Sequence, residues 1–312
     1  MALGGDIEAL DYNTIREKIS EVLGTGAGTY GYGQSLQSSA VFSGDTITKA
    51  QWNNLRFDIL NTLIHQRGTG SLVEIADSQL IDDTAADPVI NFNTQTDLAR
   101  LNRFNIDTTR RTVSAIGSGN ATPTPVEGEY VYSSPWSSLL EIELTCTFNN
   151  SNEARYFFNS GGKIQVTPSI EGFTSTQQTE SWSTLFSQVG TQSFGADTDP
   201  AVNYYSLTDQ YQTYYLATAS ASYANNSVQL KAKTNVADNS TGTATILYIK
   251  VSLVDGYVDP DVSSPTNNPP DDVVDGTTKL TFTELKDDGS LQPSGSFSIT
   301  SPFYSFGSFS AS

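Results

Sequence analysis

The spacing of apolar residues along the chain changes near residue 112. Before that point apolar side chains recur at helical intervals, and after it every second residue is apolar over several stretches. The clearest stretch runs from Leu140 to Phe148, where apolar side chains alternate mainly with glutamate and threonine. A similar alternation returns between Leu247 and Leu253. The pattern predicts a helical front end followed by a body of β-strands.

The first predicted helix begins at Thr14, because Thr14 and Glu17 have the spacing of a capping box. Gly24 ends it after roughly ten residues. Its apolar stripe consists of Ile15, Ile19, Val22 and Leu23. A helix this short is marginal by itself in water, so we expect the stripe to pack on another element.

The second predicted helix begins at Thr48, which has the capping-box spacing to Gln51, and it ends at Gly68. Its apolar positions are too numerous for one narrow stripe, so we expect the helix to bury two faces. These positions are Trp52, Leu55, Phe57, Ile59, Leu60, Leu63 and Ile64. His65, in the last turn, is interpreted as a cation that complements the helix dipole.

The connector between the two helices, residues 24–33, reads GTGAGTYGYG. A phosphate-binding loop would need a Gly-Lys-Ser/Thr sequence and a preceding strand, and the sequence has neither here. The glycines therefore predict a close approach of backbone to a neighbour. Tyr30 and Tyr32 are the expected anchors of that contact.

Residues 69–111 form a transitional region in which loops surround one short predicted helix, Asp97–Phe104. The region also holds the basic residues Arg100, Arg103, Arg110 and Arg111. We expect these arginines to pair with acids between Asp82 and Asp107, and an interchain contact is the alternative.

The β-rich body contains seven or so predicted strands, which is typical of an antiparallel β-sandwich. The expected strands lie near residues 127–133, 140–148, 154–159, 163–170, 213–223, 227–235 and 247–253. Between them, Trp182, Leu185, Phe186 and Val189 have helical spacing and predict one helix against a sheet.

The fold class is therefore predicted as mainly β with a small α part. Four regions follow in order: a helical attachment region (1–111), a β-sandwich domain (112–258), a Pro/Asp-rich linker (259–276) and a C-terminal β arm (277–312). The aspartates in and just before the linker lack the spacing and the terminal glutamate of an EF-hand, so calcium binding stays open. The aromatic tail is predicted to add a strand to a sheet of this chain or of a neighbour.

The net charge of −18 argues against nucleic-acid binding, which needs positive charge to displace phosphate counterions. The first residues lack the pattern of a signal peptide, and no apolar run approaches the ~20 residues that span a membrane. The single Cys146 excludes a disulfide within the chain and a zinc site made of cysteines. We expect it to be a buried thiol.

No catalytic constellation emerges from the sequence. A Ser-His-Asp triad would have to use His65, the single histidine, and no Gly-x-Ser-x-Gly motif accompanies it. Glu141 and Glu143 lie on one strand face about 7 Å apart, which is the spacing of a glycosidase pair. Paired glutamates are also ordinary on the solvent face of a strand. We therefore predict no enzyme activity, no cofactor and no metal.

Two stretches, residues 11–35 (DYNTIREKISEVLGTGAGTYGYGQS) and 47–68 (ITKAQWNNLRFDILNTLIHQRG), resemble the N-terminal region of structural proteins of tailed marine and freshwater phages, cyanophages above all. A third stretch, ARYFFNSGGKI at 154–164, is similar to another segment of such proteins. The positions that carry the resemblance are Tyr12, Asn13, Ile15, Val22, Leu23, Gly24, Gly26, Gly31, Tyr32, Gly33, Gln34, Trp52, Leu55, Arg56 and Asp58.

The resemblance implies a non-enzymatic virion protein of the tail, neck or a fibre-like appendage, made in the host cytoplasm. Its helical front would dock to the particle, and its partners would be other virion proteins and copies of itself. The candidate assembly interface consists of Tyr30, Tyr32, Trp52, Leu55, Phe57, Ile59, Leu63, Phe303, Tyr304, Phe306 and Phe309. Two alternatives remain: a module that binds host-surface glycans through Tyr204, Tyr205 and the tyrosines of 211–215, and a capsid-decorating protein.

Overall fold

The structure, a computed structural model, describes residues 9–75, 88–117, 121–122, 128–174, 176–257, 273–289 and 297–312. The chain forms two compact units, and each is assembled from three sequence segments. Unit 1 comprises Met1–Thr112, Asn152–Gly162 and Lys286–Thr300. Unit 2 comprises Val113–Ser151, Lys163–Leu285 and Ser301–Ser312. The compact units therefore differ from the linear division at 111, 258 and 276, and residues 259–272 of the linker lie outside the described residues.

The described residues contain five α-helices: α1 (Ala9–Leu23), α2 (Lys49–Arg67), α3 (Pro88–Leu101), α4 (Ser151–Asn159) and α5 (Gln177–Val189). The predicted start of the first helix at Thr14 is wrong, because α1 already includes Ala9. The Thr14 hydroxyl donates to the carbonyl of Leu10 at 2.7 Å, which is the bond that a threonine inside a helix makes. The predicted end is confirmed, since α1 stops at Leu23 and the Gly24 amide bonds the carbonyl of Ser20.

Helix α2 has the predicted boundaries. Thr48 and Gln51 form the reciprocal capping box, and Gly68 closes the helix in a left-handed conformation with φ 72°. The helix is buried on more than one side, as expected, because polar residues such as Asp58 and Thr62 are buried together with the apolar ones.

Two predictions about the middle of the chain are wrong. Helix α3 runs over Pro88–Leu101 and so begins well before the predicted Asp97. Residues 154–159 are not a strand but most of α4. The aromatic run Tyr156–Phe158 has high β-propensity, yet Ala154, Phe157 and Phe158 have the i, i+3, i+4 spacing of a helix and all three are buried.

The described strands are β1 (Arg111–Ala115), β2 (Ala121–Thr122), β3 (Glu129–Tyr132), β4 (Leu139–Thr147), β5 (Lys163–Glu171), β6 (Gln192–Phe194), β7 (Gln212–Thr218), β8 (Ser227–Thr234), β9 (Ile246–Val254), β10 (Thr277–Asp287), β11 (Phe303–Phe306) and β12 (Ser310–Ala311). They form two sheets. One has the order β1-β10-β5-β6, with β3 also on β10. The other has the order β2-β11-β4-β9-β8-β7, with β12 also on β4.

The two sheets make the predicted β-sandwich of unit 2. Strands β4 and β9, the two with the clearest alternation, pair antiparallel along their whole length, from Leu139 opposite Val254 to Thr147 opposite Ile246. The short pair β2-β11 is parallel, in contrast to the antiparallel pairs around it. Aromatic side chains meet between the sheets, where the rings of Phe282 and Phe306 lie 5.0 Å apart.

The C-terminal strands complete sheets of the same chain. Strand β10 pairs with β5 in the first sheet, and β11 pairs with β4 in the second. Tyr304 and Phe306 of β11 point into the sandwich and are buried, whereas Phe303 is 53% exposed. The first of the two predicted arrangements, addition to a sheet of this chain, is therefore the one seen.

The core of unit 1 is a cluster of helix side chains. Ile15 and Ile19 of the α1 stripe belong to this cluster, while Val22 and Leu23 pack with Tyr32 and Phe297. Trp52 of α2 makes edge-to-face contacts with Tyr12 at 5.2 Å and with Phe92 at 5.3 Å. The buried residues of this cluster are Tyr12, Ile15, Ile19, Val41, Trp52, Leu55, Ile59, Leu60, Leu63, Leu72, Ile75, Phe92 and Ala99. Packing on α2 and α3 supplies the tertiary stabilisation that α1 needs.

Candidate functional site

The glycine-rich connector, called here the glycine loop (residues 24–33), folds back on the end of α1. The amide of Gly33 donates to the carbonyl of Gly24 at 2.7 Å, and the amide of Tyr32 donates to that of Val22 at 2.9 Å. These bonds turn several of the loop carbonyls toward a neighbour within unit 1. That neighbour is α4.

Two side chains of α4 satisfy the loop carbonyls. The Asn159 side chain is fully buried, and its Nδ2 donates to the carbonyls of Gly28, Tyr30 and Gly31 at 3.2, 2.7 and 3.0 Å. Arg155 donates from Nη1 to the carbonyl of Gly26. Because a buried carbonyl without a donor is costly, these bonds fix the loop to the helix.

Close packing at the same junction requires glycine at position 33. A Cβ on Gly33 would lie 2.3 to 2.7 Å from ring atoms of Tyr156, and the residue has φ 69°. Gly28 also has a positive φ, 58°, but its Cβ would meet no atom within 4 Å. The glycines of the loop therefore have different roles: Gly33 allows contact with α4, and Gly28 allows a turn. This is the close approach of backbone that the sequence predicts, and the partner is α4.

Tyr32 extends the junction toward the helices. Its ring is fully buried, its hydroxyl donates to the carbonyl of Arg103, and Gln66 Nε2 donates to the same hydroxyl at 2.7 Å. Burial raises the pKa of Tyr32 above the ordinary value of a tyrosine. Tyr30 is half-buried, and the guanidinium groups of Arg100 and Arg103 lie over its ring at 5.5 and 4.9 Å.

His65, interpreted from the sequence as a cation at the end of α2, is buried in the structure. The side chain has no exposed surface, and both ring nitrogens are engaged. Nε2 lies 2.8 Å from the carbonyl oxygen of Ser160, and Nδ1 lies 2.9 Å from Oδ2 of Asp287. The ring also stacks on Phe297, with centroids 4.3 Å apart and an angle of 10°.

Through these contacts one histidine joins the three segments of unit 1. His65 belongs to the first segment, Ser160 to the second, and Asp287 and Phe297 to the third. A carbonyl can only accept, so Nε2 carries a hydrogen, and the hydrogen between Nδ1 and the carboxyl group belongs to either partner. The arrangement is almost fully buried, since the His65 side chain has no exposed surface and that of Asp287 is 3% exposed.

The predicted interface residues divide sharply by exposure. Tyr32, Trp52, Leu55, Ile59 and Leu63 are at most 2% exposed. These five side chains pack inside unit 1 and offer almost no surface to a partner in the folded chain. Of the others, Tyr304 and Phe306 are also buried, Tyr30, Phe57 and Phe309 are half-buried, and Phe303 is exposed.

The glutamate pair Glu141 and Glu143 lies on the outer face of β4, within a set of contacts that occupies both carboxylates. Tyr211 donates its hydroxyl to Glu143, and Ser252 donates to Glu141. Lys250 Nζ lies 3.9 Å from Glu141 and 4.6 Å from the centre of the Tyr211 ring. Burial, together with the Glu143 carboxylate, raises the pKa of Tyr211.

The tyrosines proposed for glycan binding differ in burial. Tyr204 and Tyr205 are buried, and Tyr204 donates to the carbonyl of Ala244. Tyr211 lies on the Glu143 carboxylate, and the hydroxyl of Tyr214 is buried. Tyr204 and Tyr205 therefore offer little surface to a glycan, whereas Tyr211, Tyr214 and Tyr215 are half-buried.

The remaining expectations concern the arginines, possible metal ligands and Cys146. Arg100 forms an ion pair with Glu21 at 3.1 Å, an acid outside the predicted 82–107 stretch, part of which lies beyond the described residues. Within the described ranges, no group of three or more histidine, cysteine or acidic side chains is placed to hold a metal. Cys146 is fully buried, as expected, and burial raises the pKa of its thiol. Among the helices that the structure describes, none is long and apolar enough to cross a membrane.

No protein-family model, no curated protein and no solved structure matches this chain. The junction of the glycine loop with α4 is therefore interpreted from its own geometry. It joins segments that are 128 residues apart in the sequence, and that separation leaves no local signal for Asn159 or Asp287. Two sequence signals pointed to this place: the glycine pattern of residues 24–33 and the resemblance of residues 154–164 to a segment of phage structural proteins.

Proposed function

We propose that the chain is a non-enzymatic structural component of a phage particle, of the tail, neck or an appendage. The observation that carries the proposal is the contact of the glycine loop with α4. The loop belongs to the residues 11–35 that resemble phage structural proteins, and α4 belongs to the similar stretch 154–164. The resemblance thus concerns two segments that pack together in one unit.

The chemistry of the junction agrees with a role in architecture. Hydrogen bonds within unit 1 engage the side chains of Asn159, Arg155 and His65. Side chains committed in this way stabilise a fold and are not free to bind a substrate. The acidic composition keeps free subunits apart before they assemble.

The surface of unit 1 that docks to the particle must be sought among exposed side chains. Phe42 is the strongest candidate, because its side chain is 77% exposed on a well-fixed backbone. The neighbouring Val41 is held by both groups of the Asn13 amide, at 2.8 and 3.1 Å. The amide of Phe42 donates to Asp45 at 3.1 Å. A rigid exposed aromatic residue is typical of the anchors that carry binding energy.

Purified particles test the proposal. Mass spectrometry of gradient-purified virions should find the chain in a fixed ratio to the other particle proteins. A ratio that matches a single ring of subunits would place it in the tail or neck, and a ratio that matches the whole shell would indicate a decorating protein. Absence from particles, with the chain present in infected cells, would overturn the proposal.

Complementation tests the docking surface. A phage supplied with Phe42→Ser is expected to lack the chain in its particles, although the variant keeps its stability. Leu216→Ser is the matched control, since Leu216 of unit 2 is also exposed, at 57%. Incorporation of both variants would exclude Phe42 as an anchor, and loss of both would show that any exposed apolar residue has this effect.

A further inference from the structure

A groove of about 270 Å³ lies in unit 2 between α5 and the connection from β7 to β8. The α5 wall presents five polar side chains, Gln177, Glu180, Ser181, Thr184 and Gln188. Their spacing of three, one, three and four residues places them on one face of the helix. The other wall consists of residues 219–221 with Tyr223, and Leu185 and Tyr223 are the buried residues among the lining side chains.

Several polar side chains of this groove have no partner among the described residues, although the Thr184 hydroxyl donates to the carbonyl of Glu180. Gln177, Ser181, Gln188 and Ser220 make no side-chain hydrogen bond within the part of the chain that the structure describes, and the Glu180 carboxylate has no ion pair there. The groove therefore differs from the outer face of β4, where Glu141 and Glu143 are occupied. The hydroxyl groups of Ser181 and Ser220, the amides of Gln177 and Gln188 and the carboxylate of Glu180 therefore line one space without a side-chain partner among the described residues.

The second wall is held in a defined shape. The amide of Ala219 donates to the carbonyl of Asn226 at 2.9 Å, and the amide of Asn226 donates to that of Tyr223 at 2.8 Å. The ring of Tyr223 packs 4.5 Å from that of Tyr257. Ala221 has φ 55°, a conformation that side chains other than glycine rarely adopt and that recurs in binding loops.

The charge of the groove selects the class of ligand. Its lining residues include one carboxylate and neither lysine nor arginine, and the chain carries a net charge of −18, so an anion is repelled. Alanine methyl groups and Leu185 add apolar surface beside the hydroxyl and amide groups. A neutral molecule with many hydroxyl groups and apolar C–H faces fits both properties. The volume lies just below the usual range for ligand pockets, so the ligand is short.

We propose that this groove binds a neutral oligosaccharide. Gln188, Ser181 and Ser220 would exchange hydrogen bonds with sugar hydroxyls, and Glu180 would accept from two adjacent ones. The alanine wall would face the C–H surface of the ring. The inference does not depend on the assembly role, because the groove lies in unit 2 and the docking residue Phe42 lies in unit 1.

Saturation-transfer NMR of the full chain tests the proposal with maltotriose, cellotriose, mannotriose and N,N′,N″-triacetylchitotriose, and with sialyllactose as an anionic probe. At least one neutral trisaccharide is expected to bind, and sialyllactose is not. Thr184→Trp fills the groove and should abolish the signal. Ser187→Trp is the matched control, because Ser187 is exposed on the same helix outside the groove, and it should leave the signal unchanged.

Glu180→Gln keeps the shape of the side chain and removes its charge, so it should weaken binding about tenfold. The proposal is overturned if no neutral trisaccharide gives a signal, if Thr184→Trp binds as well as the parent chain, or if Ser187→Trp loses binding equally. A signal from sialyllactose that survives Thr184→Trp would mean that sugars bind elsewhere and would also overturn it.

Discussion

Replacement of Gly33 by alanine is the sharpest test of the junction between the glycine loop and α4. The new methyl group would overlap ring atoms of Tyr156 at 2.3, 2.5 and 2.7 Å. Alanine at φ 69° also carries the strain of a left-handed conformation. Gly28→Ala is the matched control, since it has the same sign of φ and an open space around the added atom.

The magnitude follows from these two contributions. The left-handed conformation costs alanine about 1–2 kcal/mol, and both variants carry this term. Overlap in a packed site costs about 1–3 kcal/mol more, and Gly33→Ala alone carries that term. We therefore expect Gly33→Ala to lower the free energy of unfolding by about 2–5 kcal/mol and Gly28→Ala by about 1–2 kcal/mol.

Urea denaturation and hydrogen exchange measure the two effects. Exchange of the amides of Tyr32, Gly33 and Gln34 should accelerate in Gly33→Ala, because all three donate to backbone carbonyls at the end of α1 or in the loop itself. In Gly28→Ala these amides should change little. Exchange locates the damage at the loop even if the unfolding transition has more than one step.

A double-mutant cycle with Tyr156→Ala completes the test. Removal of the ring opens the space that the new methyl group needs, so the two substitutions should couple by about 1–3 kcal/mol. Equal destabilisation by Gly33→Ala and Gly28→Ala, or a coupling energy near zero, would refute the packing of Tyr156 on Gly33.

Three further outcomes follow from buried groups. Asp287→Ala should lower the free energy of unfolding by about 2–4 kcal/mol in urea, because Nδ1 of His65 loses its partner. Asp287→Asn offers that nitrogen a donor and should cost less than half as much; a larger loss than in Asp287→Ala would contradict this. Burial raises the pKa of Tyr12 to about 12, so its stabilising contribution is full below pH 10 and falls as the pH rises toward 12. Tyr12→Phe should flatten the fall in the unfolding free energy between those values, and an unchanged slope would exclude Tyr12 as its source. Cys146 should resist a disulfide reagent at pH 8 in the native chain and react fully in urea, and rapid native reaction would show that the sandwich opens there.

Capping motifs, which involve only neighbouring residues, predicted both ends of α2 correctly. The capping box at Thr48 and the left-handed Gly68 are such signals, and α2 begins and ends there. The strands β4 and β9 were equally clear, because β4 alternates strictly between buried and half-buried residues and β9 does so over most of its length. Where local signals conflict, as in the aromatic run of α4, packing decided the structure and the sequence prediction of a strand was wrong.

Features that depend on distant residues had no local signal. Asp287 and His65 are 222 residues apart in the sequence, and no sequence motif near either residue predicts that they form a hydrogen bond. The free polar face of α5 looks like an ordinary solvated helix surface until the connection 219–223 is seen opposite it. Sequence reasoning therefore found the glycine loop but not the residues that hold it.

This dependence on distant residues has a consequence for folding. The carbonyls of Gly28 and Gly31 accept hydrogen bonds from Asn159, and His65 is bonded to Asp287. Unit 1 therefore cannot be complete until the chain has been synthesised beyond residue 287. Closing such long loops costs conformational entropy before the contacts between their ends are made. Folding is therefore slower than for a unit held by local contacts. The helices of unit 1 can form early. The contact of His65 with Asp287 forms only after the strands of unit 2 that lie between these two residues in the sequence have been synthesised.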